Sequence, residues 1–305
     1  MTLLDEVRAT AEALAQSARY VRVRTDAIEA YAASLPLHEL ENPELDAATH
    51  YLGPPEATLA YVLTLDAINF GSGYFPKLTK RPGLSGYFTV ASSLKDLYEA
   101  NGPLSAAHLT RLTQEDCRVI FGQKNNDDAG VKELMSLFSR ALNDLGTYVQ
   151  EQLGGSFQAL VTAADGSAQE LVSILKKMPF YQDVGFYKRA QLTAADLSIA
   201  HVAQFHDLDR LTMFADNLVP HVLRVDGILS YDARLLERIE REELIPAGTR
   251  EEREIRAGAL HAVELIAAAL DHKVTSMQLD YLLWNRGQLP AYKAHPRHRT
   301  RTVFY

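Results

Sequence analysis

Carboxylates dominate the residues of this sequence that could do chemistry. One segment, residues 180–229, sets several aspartates among aromatic and aliphatic residues, and five of them are considered as site residues: Asp183, Asp196, Asp207, Asp209 and Asp216. A carboxylate in an apolar pocket can stabilise a cationic carbon in a transition state, and it can orient a water molecule and take up its proton. The segment therefore predicts a hydrolase that uses aspartate carboxyl groups.

Asp207 and Asp216 are the leading catalytic candidates. One would stabilise the cation and the other would orient the water, and the sequence leaves open which does which. Asp207 stands before a short helical pattern, so its alternative is a helix cap. Asp183 is the third candidate, with a turn position as its alternative, whereas Asp196 and Asp209 fit solvated or capping groups.

Other catalytic chemistries lack their motifs in this sequence. It contains no phosphate-binding glycine loop, no H-E-x-x-H, no C-x-x-C and no G-x-S-x-G, and Cys117 is its one cysteine. The ten histidines are scattered at spacings that do not suit joint metal ligation. The sequence therefore predicts neither a metal site nor an organic cofactor.

The charge balance disfavours extended nucleic acid as a partner. The chain has 31 basic and 39 acidic residues and a net charge of −8, whereas gripping long nucleic acid requires many cations against phosphates. A small anion held by a few arginines remains compatible with this balance. No apolar run reaches the roughly 18 residues of a membrane helix, and the charged N-terminal segment does not resemble a signal peptide. These features predict a cytoplasmic protein without a membrane partner.

Helical periodicity dominates the elements that must position these aspartates. Apolar residues recur at three- and four-residue steps from Leu4 to Ala18 and from Val131 to Leu153, where Gly154 and Gly155 stop the pattern. Residues 56–70 are apolar nearly all round, which predicts a central helix. A capping box at 249–252 predicts the start of another helix.

Strand patterns are few, and together with the helices they predict the fold class. Only 20–23, 87–90 and 302–305 alternate as strands do. The irregular segment Gly71–Gly86 is long enough to be a binding loop. We expect a mainly α protein with few short strands. A single helical domain spanning 1–305 with a central cleft fits best, and two lobes around that cleft are one arrangement of it.

The order of elements around Asp216 resembles that of the helix-hairpin-helix DNA glycosylases. A helix with Lys188 and Arg189 is followed by a turn and then by Ala-Asp-x-x-x-x-His-Val at 215–222. In that family the catalytic aspartate follows the hairpin and precedes a helix, so the resemblance implies a glycosylase-like core with Asp216 at a helix start. The glycines of that hairpin are absent here, and residues 207–212 replace them.

Several separated blocks are similar to the queuosine salvage proteins. They are FYKRAQL (186–192), LTMFADNLVPHVL (211–223), REEREIRAG (250–258) with HAVELI (261–266), LDYLLW (279–284) and HRTRTVFY (298–305). The resemblance implies hydrolysis of queuosine 5′-phosphate to queuine and ribose 5-phosphate, for queuine salvage into tRNA modification. A DNA or RNA base glycosylase, and a non-catalytic protein that binds queuine or queuosine, are the alternatives.

This resemblance also implies where the base would bind. Four aromatic residues could stack on it: Phe70, Phe214, Tyr281 and Trp284. Asn69 could read the edge of the base, Asp280 could pair with the secondary amine of queuine, and His50 could contact base or sugar. Core packing, a helix cap and a structural histidine are the corresponding alternatives.

The 5′-phosphate of that substrate requires cationic partners. The candidates are Lys188, Arg189, Arg299 and Arg301. An exposed basic segment is the alternative for the last two. The apolar residues that follow them, Val303 to Tyr305, favour a docked segment instead.

Overall fold

A computed structural model describes residues 1–40 and 43–305 of the chain, and the predicted mainly α fold is confirmed. The elements up to residue 175 are α1 (Leu3–Gln16), β1 (Val21–Val23), α2 (Ile28–Ser34), α3 (Pro55–Ala67), α4 (Gly86–Asn101), α5 (Ala106–Leu109), α6 (Gln114–Ile120), α7 (Ala129–Leu153), α8 (Phe157–Thr162) and α9 (Ala168–Leu175). Those that follow are α10 (Lys188–Ile199), α11 (Val219–Val225), β2 (Leu229–Tyr231), α12 (Ala233–Glu240), α13 (Arg250–Ala269), α14 (Ser276–Arg286) and α15 (Pro290–Lys293).

Helix α3 is the central helix that its sequence predicts. Every residue from Ala57 to Ala67 is buried, because α4, α7, α8 and α10 all pack against it. A helix that is apolar on all sides is stable only when neighbours cover each side. Its burial fixes the position of Asp66 near its end and of Asn69 just beyond.

The buried apolar residues form two clusters. The first contains α3, α7 and α9, and the second is built around α13, against which α1, α2, β1, α11 and α14 pack. Helix α10 contributes Ala190, Ala194 and Leu197 to the first cluster, and α11 contributes Val219, Val222 and Leu223 to the second. The two helices nearest the aspartate-rich segment therefore belong to different clusters.

The strand predictions are right at one place and wrong at two others. Val21–Val23 forms β1 and pairs antiparallel with Leu229–Tyr231. Residues 87–90, expected to form a strand, lie in α4 because Ser85 caps that helix through a bond from the Phe88 N–H to its hydroxyl (3.2 Å). Residues 302–305 form no strand either, although Tyr305 is buried as the docked arrangement requires.

Helix ends follow the expected capping chemistry. Helix α7 ends at Gly154, which has the left-handed φ of 60° that glycine tolerates. Helix α13 begins after Thr249, whose hydroxyl accepts a hydrogen bond from the Glu252 N–H (3.4 Å). In the two ranges that the structure describes, no helix is both long enough and apolar enough to cross a membrane.

Candidate active site

A cavity of about 860 Å³, the central cavity, lies where residues of both apolar clusters meet. Its walls come from the end of α3, the loop before α4, one face of α10, the start of α11, α14 and the C-terminal segment, residues 297–305. Ligand sites for small molecules commonly measure about 300–1,000 Å³, so a nucleotide is of suitable size. The irregular segment Gly71–Gly86 does line this cavity, at Ser72, Phe75 and Lys80 among other residues.

Asp216 lies on the cavity wall at the start of α11. Its Oδ1 accepts hydrogen bonds from the N–H groups of Leu218 (2.7 Å) and Val219 (3.3 Å), which fixes the carboxyl group at the helix end. The carbonyl of Ala215 accepts a bond from Arg256 Nε (2.8 Å). Asp216 thus has the position that the glycosylase resemblance implies, before a helix and facing a pocket.

Lys188, the first residue of α10, also lines the cavity although it is only 6 % exposed. Its burial lowers the pKa of its ammonium group, while the nearby carboxyls of Asp216 and Asp66 oppose that shift. Within the described part of the chain, the ammonium group has no hydrogen bond or ion pair. It is therefore a cation without a protein partner, open to a ligand in the cavity.

Asp280 of α14 is a buried carboxyl group close to Asp216. Its Oδ1 accepts a hydrogen bond from the Phe214 N–H (3.0 Å). Burial, followed by the negative charge of Asp216, raises the pKa of Asp280 well above its usual range. A carboxyl group that remains protonated at neutral pH can donate a hydrogen bond to a ligand.

Asp196 and Asp66 form a pair of buried carboxyl groups. Asp196 lines the cavity and accepts a hydrogen bond from the Tyr281 hydroxyl (3.0 Å), and burial raises its pKa to about 6. Asp66 is fully buried behind it, and its pKa is raised by burial and then by the charge of Asp196. Asp66 Oδ2 has no hydrogen-bond partner among the described residues, so its raised pKa favours the neutral form of this carboxyl group. The expectation that Asp196 is a solvated or capping group is wrong.

Aromatic rings form one side of the cavity. Phe214 and Tyr281 pack edge to face with their centroids 6.0 Å apart, and Trp284 packs in the same manner against Tyr87 (6.4 Å). His50 donates from Nδ1 to the Asp46 carbonyl (3.1 Å) and accepts from the Tyr87 hydroxyl at Nε2 (2.9 Å). Burial lowers the pKa of His50, which keeps the ring in the neutral form that this pattern requires.

Cations cluster where the C-terminal segment reaches the cavity. Arg297 and Arg299 line it, and Arg299 forms an ion pair with Glu242 (3.1 Å). Burial lowers the pKa of Arg297, against the opposing charge of Asp216. His221 donates from Nε2 to the Tyr292 carbonyl (2.9 Å), and burial lowers its pKa to about 4, so the ring is neutral. This part of the cavity suits an anionic group.

Two predicted catalytic residues lie outside the cavity. Asp207 accepts hydrogen bonds from the Ser167 hydroxyl (2.8 Å) and from the N–H groups of Ala168 (2.6 Å) and Gln169 (3.3 Å), so it caps α9. Partial burial opposes the shift, but these bonds lower the pKa of Asp207. Asp183 is buried in an ion pair with Arg256. Both placements argue against direct catalytic roles and correct the pairing of Asp207 with Asp216.

Two residues predicted to bind phosphate also lie outside the cavity. Arg189 is buried between the rings of Phe70 and Tyr181 and donates to backbone carbonyls, including that of Ala67 (2.6 Å). Arg301 lies over the ring of Tyr74. Neither lines the central cavity. Arg189 is engaged by these buried contacts and Arg301 by an ion pair with Glu133 (3.8 Å), so their positions do not favour the predicted phosphate contacts, which stay predictions.

The remaining predicted site residues do line the cavity, although their binding roles stay predictions. They are His50, Asn69, Phe70, Phe214, Asp280, Tyr281, Trp284, Lys188 and Arg299. The sequence reasoning missed Asp196, Tyr87 and Arg297 as site residues. Asp196 had a usable signal, because Lys188, Leu192 and Asp196 recur every four residues along one face of α10.

No group of three or more histidine, cysteine, aspartate or glutamate side chains among the described residues is arranged to hold a metal ion. The fold and the cavity define a class: a helical protein with a cavity of small-molecule size lined by buried carboxyl groups, aromatic rings and two arginines. The chain belongs to the queuosine salvage protein family, whose model matches residues 49–305. The resemblance predicted from the sequence is thereby confirmed.

Curated relatives of this chain span bacteria and eukaryotes. A protein of Sphaerobacter thermophilus named queuosine 5′-phosphate N-glycosylase/hydrolase is 36% identical, over 98% of this chain and 97% of that protein. Proteins of the same name are 32% identical in Mus musculus, over 88% of this chain and 86% of theirs, and 32% identical in Dictyostelium discoideum, over 82% and 79%. The similarity therefore extends over most of each chain.

Proposed function

We propose that this chain hydrolyses the N-glycosidic bond of queuosine 5′-phosphate and releases queuine and ribose 5-phosphate for tRNA modification. The position of Asp216 carries the proposal. Its carboxylate faces a cavity of nucleotide size within electrostatic reach of Lys188, Asp280 and Arg297. Family membership and the names of the relatives support the choice of substrate.

The charges of the cavity suggest the orientation of the substrate. Arg297 and Arg299 suit the 5′-phosphate, since arginine binds phosphate oxygens through a planar fork of donors. Lys188 is a weaker phosphate ligand than the sequence suggests, because Asp66, Asp216 and Asp280 act on it and would repel an anion. We place Lys188 beside the ribose, within electrostatic reach of the Asp216 carboxylate.

The base would lie at the opposite, aromatic part of the cavity. Phe214, Tyr281 and Trp284 provide apolar ring surfaces there, and stacking of a base on such a ring is worth about 1–3 kcal/mol. Queuine carries a secondary amine that is cationic at neutral pH, and ionised Asp196 is a suitable partner for it. Asn69 lines the cavity, and we assign it to exchange hydrogen bonds with the base edge.

Asp216 would act on the anomeric carbon. When the bond from C1′ to the base nitrogen breaks, its electron pair stays with the base and C1′ becomes cationic, so an adjacent carboxylate lowers the barrier. The oxygen of water then bonds to C1′, and its proton is taken up by Asp216. We assign protonated Asp280 to give its proton to the leaving nitrogen as negative charge develops there, and the proton that Asp216 accepts from water returns through solvent to Asp280.

The test is release of queuine from queuosine 5′-phosphate by the purified protein, followed by chromatography and mass spectrometry. We expect equal amounts of queuine and ribose 5-phosphate and the same rate after EDTA treatment. No release in either sample would refute the proposal. Tight binding of intact nucleotide without turnover would indicate a carrier instead. A shift of DNA or RNA in a low-salt gel would favour a polynucleotide glycosylase.

A further inference from the structure

Arg256 connects two elements of the active site from behind the central cavity. It lies on α13, is 3% exposed and does not line the cavity. Its Nη1 and Nη2 donate to the two carboxylate oxygens of Asp183 (3.0 and 2.6 Å), and its Nε donates to the carbonyl of Ala215 (2.8 Å). One guanidinium group therefore donates hydrogen bonds to two separate stretches of the chain, to a side chain in one and to the backbone in the other.

The first stretch is the start of α10. Asp183 Oδ2 also accepts a hydrogen bond from the N–H of Lys188 (3.1 Å), and the Asp183 carbonyl accepts one from the N–H of Tyr187 (2.8 Å). Tyr187 itself has a left-handed φ of 47° and provides no side-chain cap for the helix. Asp183 therefore fixes the backbone from which Lys188 projects.

The second stretch is the start of α11, because Ala215 directly precedes Asp216. The N–H groups of Leu218 and Val219 hold the Asp216 side chain from its C-terminal side. Arg256 holds the backbone on its N-terminal side. Lys188 and Asp216, which belong to helices of different apolar clusters, are thus both connected to one buried cation.

Packing keeps this guanidinium group in a single orientation. Its central carbon lies 4.0 Å from the ring centroid of Phe186 and 4.6 Å from that of Tyr305. Glu252 accepts from Arg256 Nη1 (3.4 Å) and from the Tyr305 hydroxyl (3.0 Å). A buried and stacked guanidinium group with all its nitrogens engaged has little freedom to move.

We infer that Arg256 is a positioning residue that sets the separation between Lys188 and Asp216. The inference rests on the proposed function, in which Asp216 acts at the anomeric carbon. It also explains why the chain contains a buried ion pair at this place, since such pairs are a weak source of stability compared with apolar packing. A displacement of about 1 Å at a catalytic group can lower the rate by roughly 100-fold.

The test replaces the guanidinium group of Arg256, with its fork of donors, by a group that keeps the positive charge. Lysine at position 256, in Arg256→Lys, cannot reach both oxygens of Asp183 and the Ala215 carbonyl. We expect kcat per folded molecule to fall by about 10- to 100-fold, with KM changed less than about threefold, since the cavity lining is intact. Asp183→Asn is the second variant, for use if Arg256→Lys does not fold, and it should change kcat in the same direction.

Arg250 of the same helix provides a matched control. It too bridges a carboxylate, Glu254 (2.7 Å), and a backbone carbonyl, that of Ser17 (2.6 Å), but neither partner leads to the cavity. We expect Arg250→Lys to keep kcat within about twofold. The double variant of Arg256→Lys and Asp183→Asn should be about as slow as Arg256→Lys alone, because both changes break one connection.

A second measurement needs no substrate. The pKa of Lys188 is followed by NMR on ¹³C-methylated protein, with Lys188→Arg used to assign the signal. Loosening the start of α10 admits water, so Arg256→Lys should move this pKa toward the ordinary lysine value, and Arg250→Lys should not. An unchanged kcat or an unchanged Lys188 pKa overturns the inference. If the wild-type protein does not hydrolyse the nucleotide, the proposed function fails and the titration alone decides the role of Arg256.

Discussion

Replacing Asp216 by asparagine separates the charge of this residue from its structural role. Asp216 Oδ1 alone accepts the hydrogen bonds from the N–H groups of Leu218 and Val219, and the amide oxygen of asparagine can accept the same bonds, so Asp216→Asn should keep the start of α11 and nearly the full thermal stability. What disappears is one negative charge beside the cationic C1′. At about 4 Å and an effective dielectric constant of about 20, that interaction is worth roughly 4 kcal/mol.

A loss of that size corresponds to a fall in kcat of about 1,000-fold. The assay is single-turnover release of queuine, with nucleotide binding measured separately by calorimetry and expected to remain. Asp216→Ala should show the same kinetic defect and in addition lose about 0.5–2 kcal/mol of unfolding free energy through the missing cap.

Asp207 is the matched control, because it also caps a helix but lies outside the cavity. Asp207→Asn should leave kcat unchanged. It should lower the thermal midpoint, because the three groups that donate hydrogen bonds to Asp207 would then face a neutral amide in place of a charged carboxylate. The reasoning fails if Asp216→Asn retains more than a tenth of kcat, or if Asp207→Asn loses as much activity as Asp216→Asn.

Three further outcomes are expected. Gly73→Ala would place a methyl group inside contact distance of the Thr300 carbonyl and displace the segment carrying Arg299, so both the thermal midpoint and kcat/KM should fall; wild-type values would contradict this packing. Asp66→Asn removes a buried carboxyl group whose pKa is raised in the folded protein, and such a group disfavours folding increasingly as pH rises above the ordinary aspartate pKa of 3.8. The gain in unfolding free energy from Asp66→Asn, measured by denaturant titration, should therefore be absent at pH 3.5 and grow toward pH 7. A gain that is the same at every pH would exclude the raised pKa of Asp66 as its cause. Arg297→Met should lower kcat/KM for the 5′-phosphate but not for the nucleoside, and equal losses would place the phosphate elsewhere.

The sequence predicts best those features that depend on local pattern. The all-round apolar character of α3 predicts a central helix, and Gly154 marks the end of α7, because both effects act within a few residues. The place of Asp216 before a helix follows from the same local order. The sequence blocks around Asp216 identify the family, since they occur in the same order as in the family over most of the chain.

The assignment of side chains to the cavity depends on distant parts of the chain. Asp207 and Asp216 both precede short helices, but the donors that engage Asp207 lie 38 to 40 residues earlier, on α9. Lys188 and Arg189 are neighbours, yet a helix turns by about 100° per residue, so one faces the cavity and the other faces the core. No local pattern distinguishes the members of either pair.

The two apolar clusters also have a consequence for the order of folding. Apart from Leu4 and Met277, the buried residues of the first cluster come from the continuous stretch 59–214, so that cluster can form from contacts close in sequence. The second cluster requires residues 21–23 to pair with residues 229–231. This pairing closes a loop of roughly 200 residues, which delays formation of the second cluster. Asp216 and Asp280 are held by that second cluster. During refolding, enzymatic competence therefore arises in the last step, after most of the helical content is already in place.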